Sequence, residues 1–433
     1  MNVAVSAEKI LNGAKSSSVR EKLIGRTPKS AKLSKKGQAS LAQEVVQTVD
    51  LPHPIYIESA DGPYLTDVDG NRYVDLTAGF GPNVLGNRPK VVEQAISNQI
   101  KKGWHFGIPG PGQSELAGIL KEASPVTEQV VFCNSGSEAT MFAFRAARAY
   151  TGKQVVALFD GSYHGIHDYA LTKADLKSDR SKPRSKVMGA GVPEVVPQEL
   201  MLMLPYRDEN AFDLIRQHKD SLAMVVVEPV QSSNPRLDNQ KFFKGLREVC
   251  TECGVLLLFD EVITGFRIEF GGCQEYYGID PDLVTYGKAI GGGLPIGAIA
   301  GPRKIMNTFS GADGTPAIFA GGTFNGNPLT MSAGIAALSF LKENKNEIYP
   351  FLHEQGNRFA REINGFCESH NIPAKLMNAG SMMHLLFGKG KINSSRDIDY
   401  SFRKVEQEFY LCLLYTSDAA DEGLGVDLGG RRI

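Results

Sequence analysis

Five polar residues each close an apolar run: Asn134 after QVVFC, Asp160 after QVVALF, Glu228 after LAMVVV, Asp260 after VLLLF and Lys288 after LVTYG. Lys288 is the most unusual of them, because three consecutive glycines, Gly291 to Gly293, follow it closely. A lysine at a strand end, beside a turn that glycine lets approach a ligand, holds an amine in a semi-buried cleft. That is the group that condenses with an aldehyde to a Schiff base. The plainer alternative is a lysine snorkelling from an edge strand. Two phosphate-loop readings fail on spacing. A Walker A loop needs glycine where Asp282 stands and a hydroxyl where Ala289 stands. The dinucleotide fingerprint needs a third glycine where Ile296 stands.

Other residue types suit a cofactor that is flat, anionic and basic at a ring nitrogen. Asp260 directly follows a run that should be buried, and a buried carboxylate requires a cation or several donors. A protonated pyridine nitrogen meets that need; Arg267 is the structural alternative. Asn134-Ser135-Gly136-Ser137-Glu138 has capping-box spacing between Ser135 and Glu138, with Gly152 placed to close the helix. A glycine between two hydroxyls at a helix N-terminus also makes an anion site, which predicts a bound phosphate at Ser135 to Ser137. Tyr163, inside Gly161-Ser162-Tyr163-His164-Gly165, can stack on a flat ring. Thr323, in the glycine-rich FAGGTFNGNP, is a candidate for a second phosphate contact.

The elements that would position these groups follow from the same pattern. Apolar strands separated by helix-length segments over 115–330 predict a mainly parallel sheet covered on both faces. Ligands of such sheets sit beyond the C-terminal strand ends, so the five polar residues collect along one edge. The helix after Ser135 should bury Ala139, Phe142, Ala143, Ala146 and Tyr150. Residues 1–50 read as a helical or partly mobile arm. From Ile55, two Asp-Gly pairs at Asp61 and Asp69 mark hairpin turns of a small antiparallel sheet. A punctuated loop, Gly79 to Pro89, precedes the helix VVEQAISNQIKKG and then Trp104, His105 and Phe106, which pack or line a pocket. Lys173 to Val196, with six basic side chains, reads as a loop over the cleft.

The 433 residues carry 47 Lys and Arg against 48 Asp and Glu. This balance gives no general attraction to nucleic acid or membrane, and points to small molecules or further copies of the chain as partners. No signal-peptide pattern or membrane-length apolar run occurs, which makes a cytoplasmic location the expectation. Of the six cysteines only Cys250 and Cys253 are paired in sequence. They lie where an amphipathic helix meets Gly254 and read as packing residues, with neither a metal site nor a disulfide framework indicated.

Together, YLTDVDGNRYVDL, FCNSGSEAT, GSYHG, VVVEPV, FDEVITGFR, YGKAIGGGLPIGA and GGTFNGNP resemble the class III, fold-type I aminotransferases that use pyridoxal 5'-phosphate (PLP), and most closely the glutamate-1-semialdehyde aminomutase-like branch. The resemblance implies an α/β fold: a large PLP-binding domain with a mainly parallel sheet between helices, and a small α+β domain made from both chain ends. The divisions would be an arm over 1–50, an interface and small-domain segment over 51–114, the large domain over 115–330 and the small domain over 331–411. By resemblance Lys288 is the Schiff-base lysine, Asp260 pairs with the pyridine nitrogen, and Val262 and Tyr163 pack on opposite faces of the ring. Gly136 and Ser137 hold the phosphate, Thr323 reaches the phosphate of a neighbouring subunit in a homodimer, and Glu228 and His164 support these contacts from behind.

Two departures bear on the reaction. The N-terminal arginine motif that holds the aminomutase substrate's carboxylate has a poor counterpart in GRTPKSAKLSKKG, and the family's Gly-His-x-His-Pro turn is the shorter Gly86-Asn87-Arg88-Pro89. The expectation is therefore an aminotransferase acting between an amino acid or amine and a keto acid or aldehyde. The alternatives are the aminomutase and a non-catalytic PLP-fold protein. From Cys412 onward, CLLYTSDAADEGLGVDLGGRRI loses the preceding helical pattern and resembles a translated sequencing adaptor. The native chain is expected to differ after Leu411.

Overall fold

The computed structural model describes residues 16–43, 51–311, 317–388 and 390–416. Two helices, Ser16–Arg26 and Pro28–Gly37, form the described part of the arm; its residues 1–15 and 44–50 lie outside the described residues. The second helix is tied down by Asp69, whose carboxylate accepts from the backbone of Lys29 and Ser30 at 2.8 and 3.0 Å. Strands β1 (Ile57–Asp61), β2 (Tyr64–Asp67) and β3 (Arg72–Val74) then pair antiparallel. Their turns fall at the two Asp-Gly pairs, where Gly62 and Gly70 have φ of 53° and 92°. Side chains with a Cβ avoid those values.

The central sheet is built from β4 (Gln129–Cys133), β5 (Val155–Phe159) and, after a ribbon of β6 (Thr172–Ala174) and β7 (Ser185–Val187), from β8 (Met201–Leu204), β9 (Leu222–Val227), β10 (Leu256–Asp260), β11 (Leu283–Gly287) and β12 (Gly297–Gly301). The spatial order is β4-β12-β11-β10-β9-β5-β8. Strands β8, β5, β9, β10 and β11 run parallel, whereas β12 is antiparallel to both β11 and β4.

Strand alternation sends successive side chains to opposite faces, and here both faces are buried. Val156, Leu158, Met224, Val226 and Leu258 pack with Phe142, Ala143 and Ala146 of the helix Gly136–Thr151. Ala157, Phe159, Val225, Val227, Leu257 and Phe259 pack with Phe243, Leu246, Val249 and Cys250 of the helix Gln240–Cys253. This is why the runs read as uniformly apolar. Tyr150 departs from the expected face and is 42% exposed. Cys250 is buried at the helix end, where Gly254 closes the helix in the left-handed region.

Two strands of the sheet carry weak sequence signals. MLML of β8 lacks β-branched residues. GAIAG of β12 is made of small residues because it runs against other backbone: a Cβ at Gly297 would overlap the Ser135 carbonyl oxygen, and one at Gly301 would come within 2.6 Å of Leu283. The segment Lys173 to Val196, expected as a loop, is mostly irregular but contains the short β6–β7 ribbon, which packs beside edge strand β8.

After the helices Pro328–Glu343 and Lys345–Ser369 comes the hairpin β13 (Ala374–Ala379) and β14 (Met382–Phe387), and then the helix Arg403–Thr416. Arg20 meets Glu408 at 3.2 Å, bringing the two ends of the described chain together. The last helix continues through Cys412 to Thr416, so the helical pattern extends past the expected break at Leu411. Residues 417–433 of the anomalous tail lie outside the described residues.

Candidate active site

The C-terminal ends of β4, β9, β10 and β11 open on a cavity of about 460 Å³. Asn134, Glu228, Asp260 and Lys288 all line it, as do Gly136, Ser137, Tyr163, His164 and Val262. Asp160, the fifth strand-end group, lies elsewhere. It is fully buried in an ion pair with Arg396 and accepts from Tyr206 N at 2.8 Å.

The turn after β4 gives the cavity a helix N-terminus. Ser135 caps the helix Gly136–Thr151, its Oγ accepting from Glu138 N at 3.2 Å. Glu138 returns the contact one residue earlier than in a capping box, accepting from Asn134 N at 2.8 Å. Ser135 is therefore a cap, and the residues facing the cavity are Asn134, Gly136 and Ser137. Gly136 has no room for a side chain: a Cβ there would sit 2.7 Å from Val262. This close approach lets the helix start abut the side chain that follows β10. Ser137 Oγ accepts from Ile166 N at 3.2 Å, fastening the Gly161–Gly165 turn to the same helix.

Asp260 is paired, but not with Arg267. His164 Nδ1 lies 2.6 Å from Asp260 Oδ2, with both side chains almost fully buried. Thr285 Oγ1 donates to Asp260 Oδ1 at 3.0 Å, and Val262 N donates to it at 3.2 Å. Arg267 donates instead to the Gly81 carbonyl at 3.0 Å. Its guanidinium lies too far from Asp260 to form an ion pair, and the imidazole of His164, beyond β5, is the side chain within hydrogen-bond distance.

Around this pair sit groups with displaced acidities. Glu228 accepts from Tyr163 N at 2.8 Å, and burial pushes its carboxyl up to about 7, with His164 opposing and Asp260 adding to the shift. Burial lowers the Lys288 amine below its ordinary value, against the pull of Glu228 and Asp260. A cluster of displaced titratable groups in one cleft is the mark of a reactive site.

Several contributors escaped the sequence reading. Thr140 lines the cavity and donates to the His164 carbonyl at 2.7 Å. Its position four residues after Gly136, one helical turn on, is the signal that could have found it. Pro82, Ile263 and Leu294 to Ile296 add an apolar wall, from stretches already singled out, but as residues that carry no reactive group. Thr323 does not line this chain's cavity and is exposed, while its neighbour Asn325 accepts from Asn134 at 2.8 Å. Trp104, 61% exposed, and its neighbours His105 and Phe106 also stay outside the cavity.

The residues 45–407 match the family model described as Aminotransferase class-III. The chain belongs to the class III aminotransferases. A glutamate-1-semialdehyde 2,1-aminomutase of Lachnoclostridium phytofermentans is 40% identical over 359 residues, covering 81% of this chain and 80% of its own. The crystal structure of an omega-transaminase from Sphaerobacter thermophilus superposes with a TM-score of 0.82 at 29% identity, covering 90% of this chain and 96% of that one. A transaminase with PLP bound superposes with a TM-score of 0.76 at 30% identity, covering 83% and 84%.

Class III aminotransferases are PLP enzymes, and the cavity passes the chemical test for that group. It combines an amine for the aldehyde, a helix N-terminus for the phosphate and a buried carboxylate for the ring nitrogen. His164 Nε2 is buried without a hydrogen-bond partner among the described residues. No helix among the described residues is long and apolar enough to cross a membrane.

Proposed function

We propose that this enzyme moves an amino group with PLP, and that its reaction is the 2,1-aminomutation of glutamate-1-semialdehyde. The observation that carries the chemistry is the placement of Lys288, Asp260 and the Gly136–Ser137 helix start around one cavity. The substrate assignment draws on 40% identity to an aminomutase over 81% of the chain. This similarity favours the alternative over the aminotransferase that the two sequence departures suggested. Transfer between two molecules is the second reading, favoured by the apolar wall of Pro82, Ile263 and Leu294 and by the transaminase likeness.

PLP, when bound, supplies an electron-poor ring that draws electrons from the carbon carrying the amino group. In this reading Asp260, held by His164 and Thr285, keeps a proton on the ring nitrogen. Gly136 and Ser137 bind the phosphate, with Ser135 holding their helix start in shape, and Val262 and Tyr163 orient the ring. Glu228 fixes the Tyr163 turn through its backbone. Lys288 anchors the cofactor and, once released, carries a proton between substrate and cofactor carbons. Thr323 serves the partner's phosphate in a homodimer. Its exposure outside its own cavity supports this, as do the exposed Phe319 and Phe324 beside it, with the His105 ring tilted against Phe324 at 5.0 Å. Residues 331–411 would form most of the small domain.

Supplying glutamate-1-semialdehyde without any amino acceptor tests the reading. The expected product is 5-aminolevulinate with no keto acid released. Conversion that requires an added acceptor and releases a keto compound would establish the aminotransferase instead.

A further inference from the structure

Lys288 does not rest on a carboxylate, although Glu228 and Asp260 line the same cavity. Its Nζ donates to the backbone carbonyl of Phe80 at 2.6 Å. The next carbonyl, that of Gly81, accepts from Arg267 Nη1 at 3.0 Å. Two successive carbonyls of one loop are thus held by the reactive amine and by a semi-buried guanidinium that forms no ion pair among the described residues.

The loop is built for this contact. Phe80 and Gly81 have φ of 64° and 112°, so the backbone is bent to turn both carbonyls inward while the Phe80 ring stays 60% exposed. A Cβ at Gly81 would lie 3.3 Å from Lys288 Cδ. On its other side the loop is tied down by Asp75, whose carboxylate accepts from Thr77 N and Ala78 N at 3.0 and 2.9 Å and from Asn87 at 2.9 Å. Lys288 itself has φ of 47°, a left-handed conformation that a residue with a Cβ adopts at a cost.

We infer that the Phe80 carbonyl is the docking point of the Lys288 amine whenever that amine is not covalently engaged, and that Arg267, bonded to the adjacent Gly81 carbonyl, is the positioning residue that holds this loop in place. The inference rests on the reading of Lys288 as the cofactor-bonded lysine. A flexible ammonium stem has many resting places, and a proton carrier is useful only if it waits within reach of its target. A backbone carbonyl gives Lys288 such a place without the salt bridge that would hold it charged.

The test is a crystal structure of the PLP-loaded enzyme after treatment with amino donor alone, which frees Lys288, for wild type and Arg267→Gln. In wild type the amine should lie within hydrogen-bond distance of the Phe80 carbonyl; in the variant it should leave that carbonyl. In kinetics kcat should fall about tenfold or more, with KM for the donor within about twofold and a larger isotope effect from an α-deuterated donor. Arg267→Lys, which keeps a donor, should recover part of the loss. Should Arg267→Gln fail to fold, Gly81→Ala perturbs the same contact and should show the same displacement. A wild-type amine resting on Glu228, or an unmoved amine in both variants, would overturn the inference. Borohydride reduction and peptide mapping separate the two levels. A label away from Lys288 removes the reading of the site, whereas a label on Lys288 with the free amine away from Phe80 removes only this inference.

Discussion

The buried Asp260 carboxylate has three partners within hydrogen-bond distance, the His164 imidazole, the Thr285 hydroxyl and the Val262 backbone N–H, and such partners offset the cost of burying a polar group. Asp260→Asn should keep the fold and lose turnover by ~10²–10³-fold, checked by steady-state rates beside circular dichroism. Glu228 accepts from the Tyr163 backbone N–H, yet burial displaces its acidity up to about 7. A carboxyl whose folded pKa is raised stabilises the fold below its unfolded value near 4.5, and that contribution fades as pH rises through about 7. The cofactor-free protein should therefore lose stability across pH 4.5 to 7, and Glu228→Gln should flatten that slope in urea midpoints. His167, lowered to about 4 by burial, acts in the other window: its contribution fades as pH falls from 6.5 through 4.

At the scale of elements, the strands whose ends carry the site were legible because burial on both faces leaves a short continuous apolar run, which length and β-branched content mark as a strand. Leu258 is typical: it is fully buried under the helix Gly136–Thr151, and Leu258→Ala should cost ~2–5 kcal/mol in chemical denaturation. What sequence could not reveal were elements defined by their neighbours. Strand β12 is made of small residues because Ser135 and Leu283 leave no space, and a glycine-rich run reads as a loop until those neighbours are known. The ribbon β6–β7 has strands of three residues, too short for alternation to register. The partner of Asp260 was open for a related reason. Arg267 is seven residues away in sequence and His164 ninety-six, yet the geometry of the β5 turn decides for the distant one.

For the whole molecule, a buried ion pair is among the contacts that join the C-terminal part to the central sheet. Arg396, between β14 and the last helix, reaches Asp160 at the end of β5 and also donates to the Ser178 carbonyl at 2.8 Å. Asp160 opens the turn that carries Tyr163 and His164, so this pair connects the chain's last described elements to the site. Arg396→Ala would leave Asp160 buried without its ion-pair partner, and should destabilise the protein by ~3–5 kcal/mol, with weaker PLP retention measured by dialysis and absorbance. The sheet edge, the helix start and the paired carboxylate line one cavity with Lys288, and the Phe80 loop meets its amine. The most direct measurement is the Lys288→Ala protein, purified with PLP and assayed by visible absorbance and turnover. The expected result is a folded protein without covalently bound cofactor and without product; retained turnover with an unchanged spectrum would contradict the account.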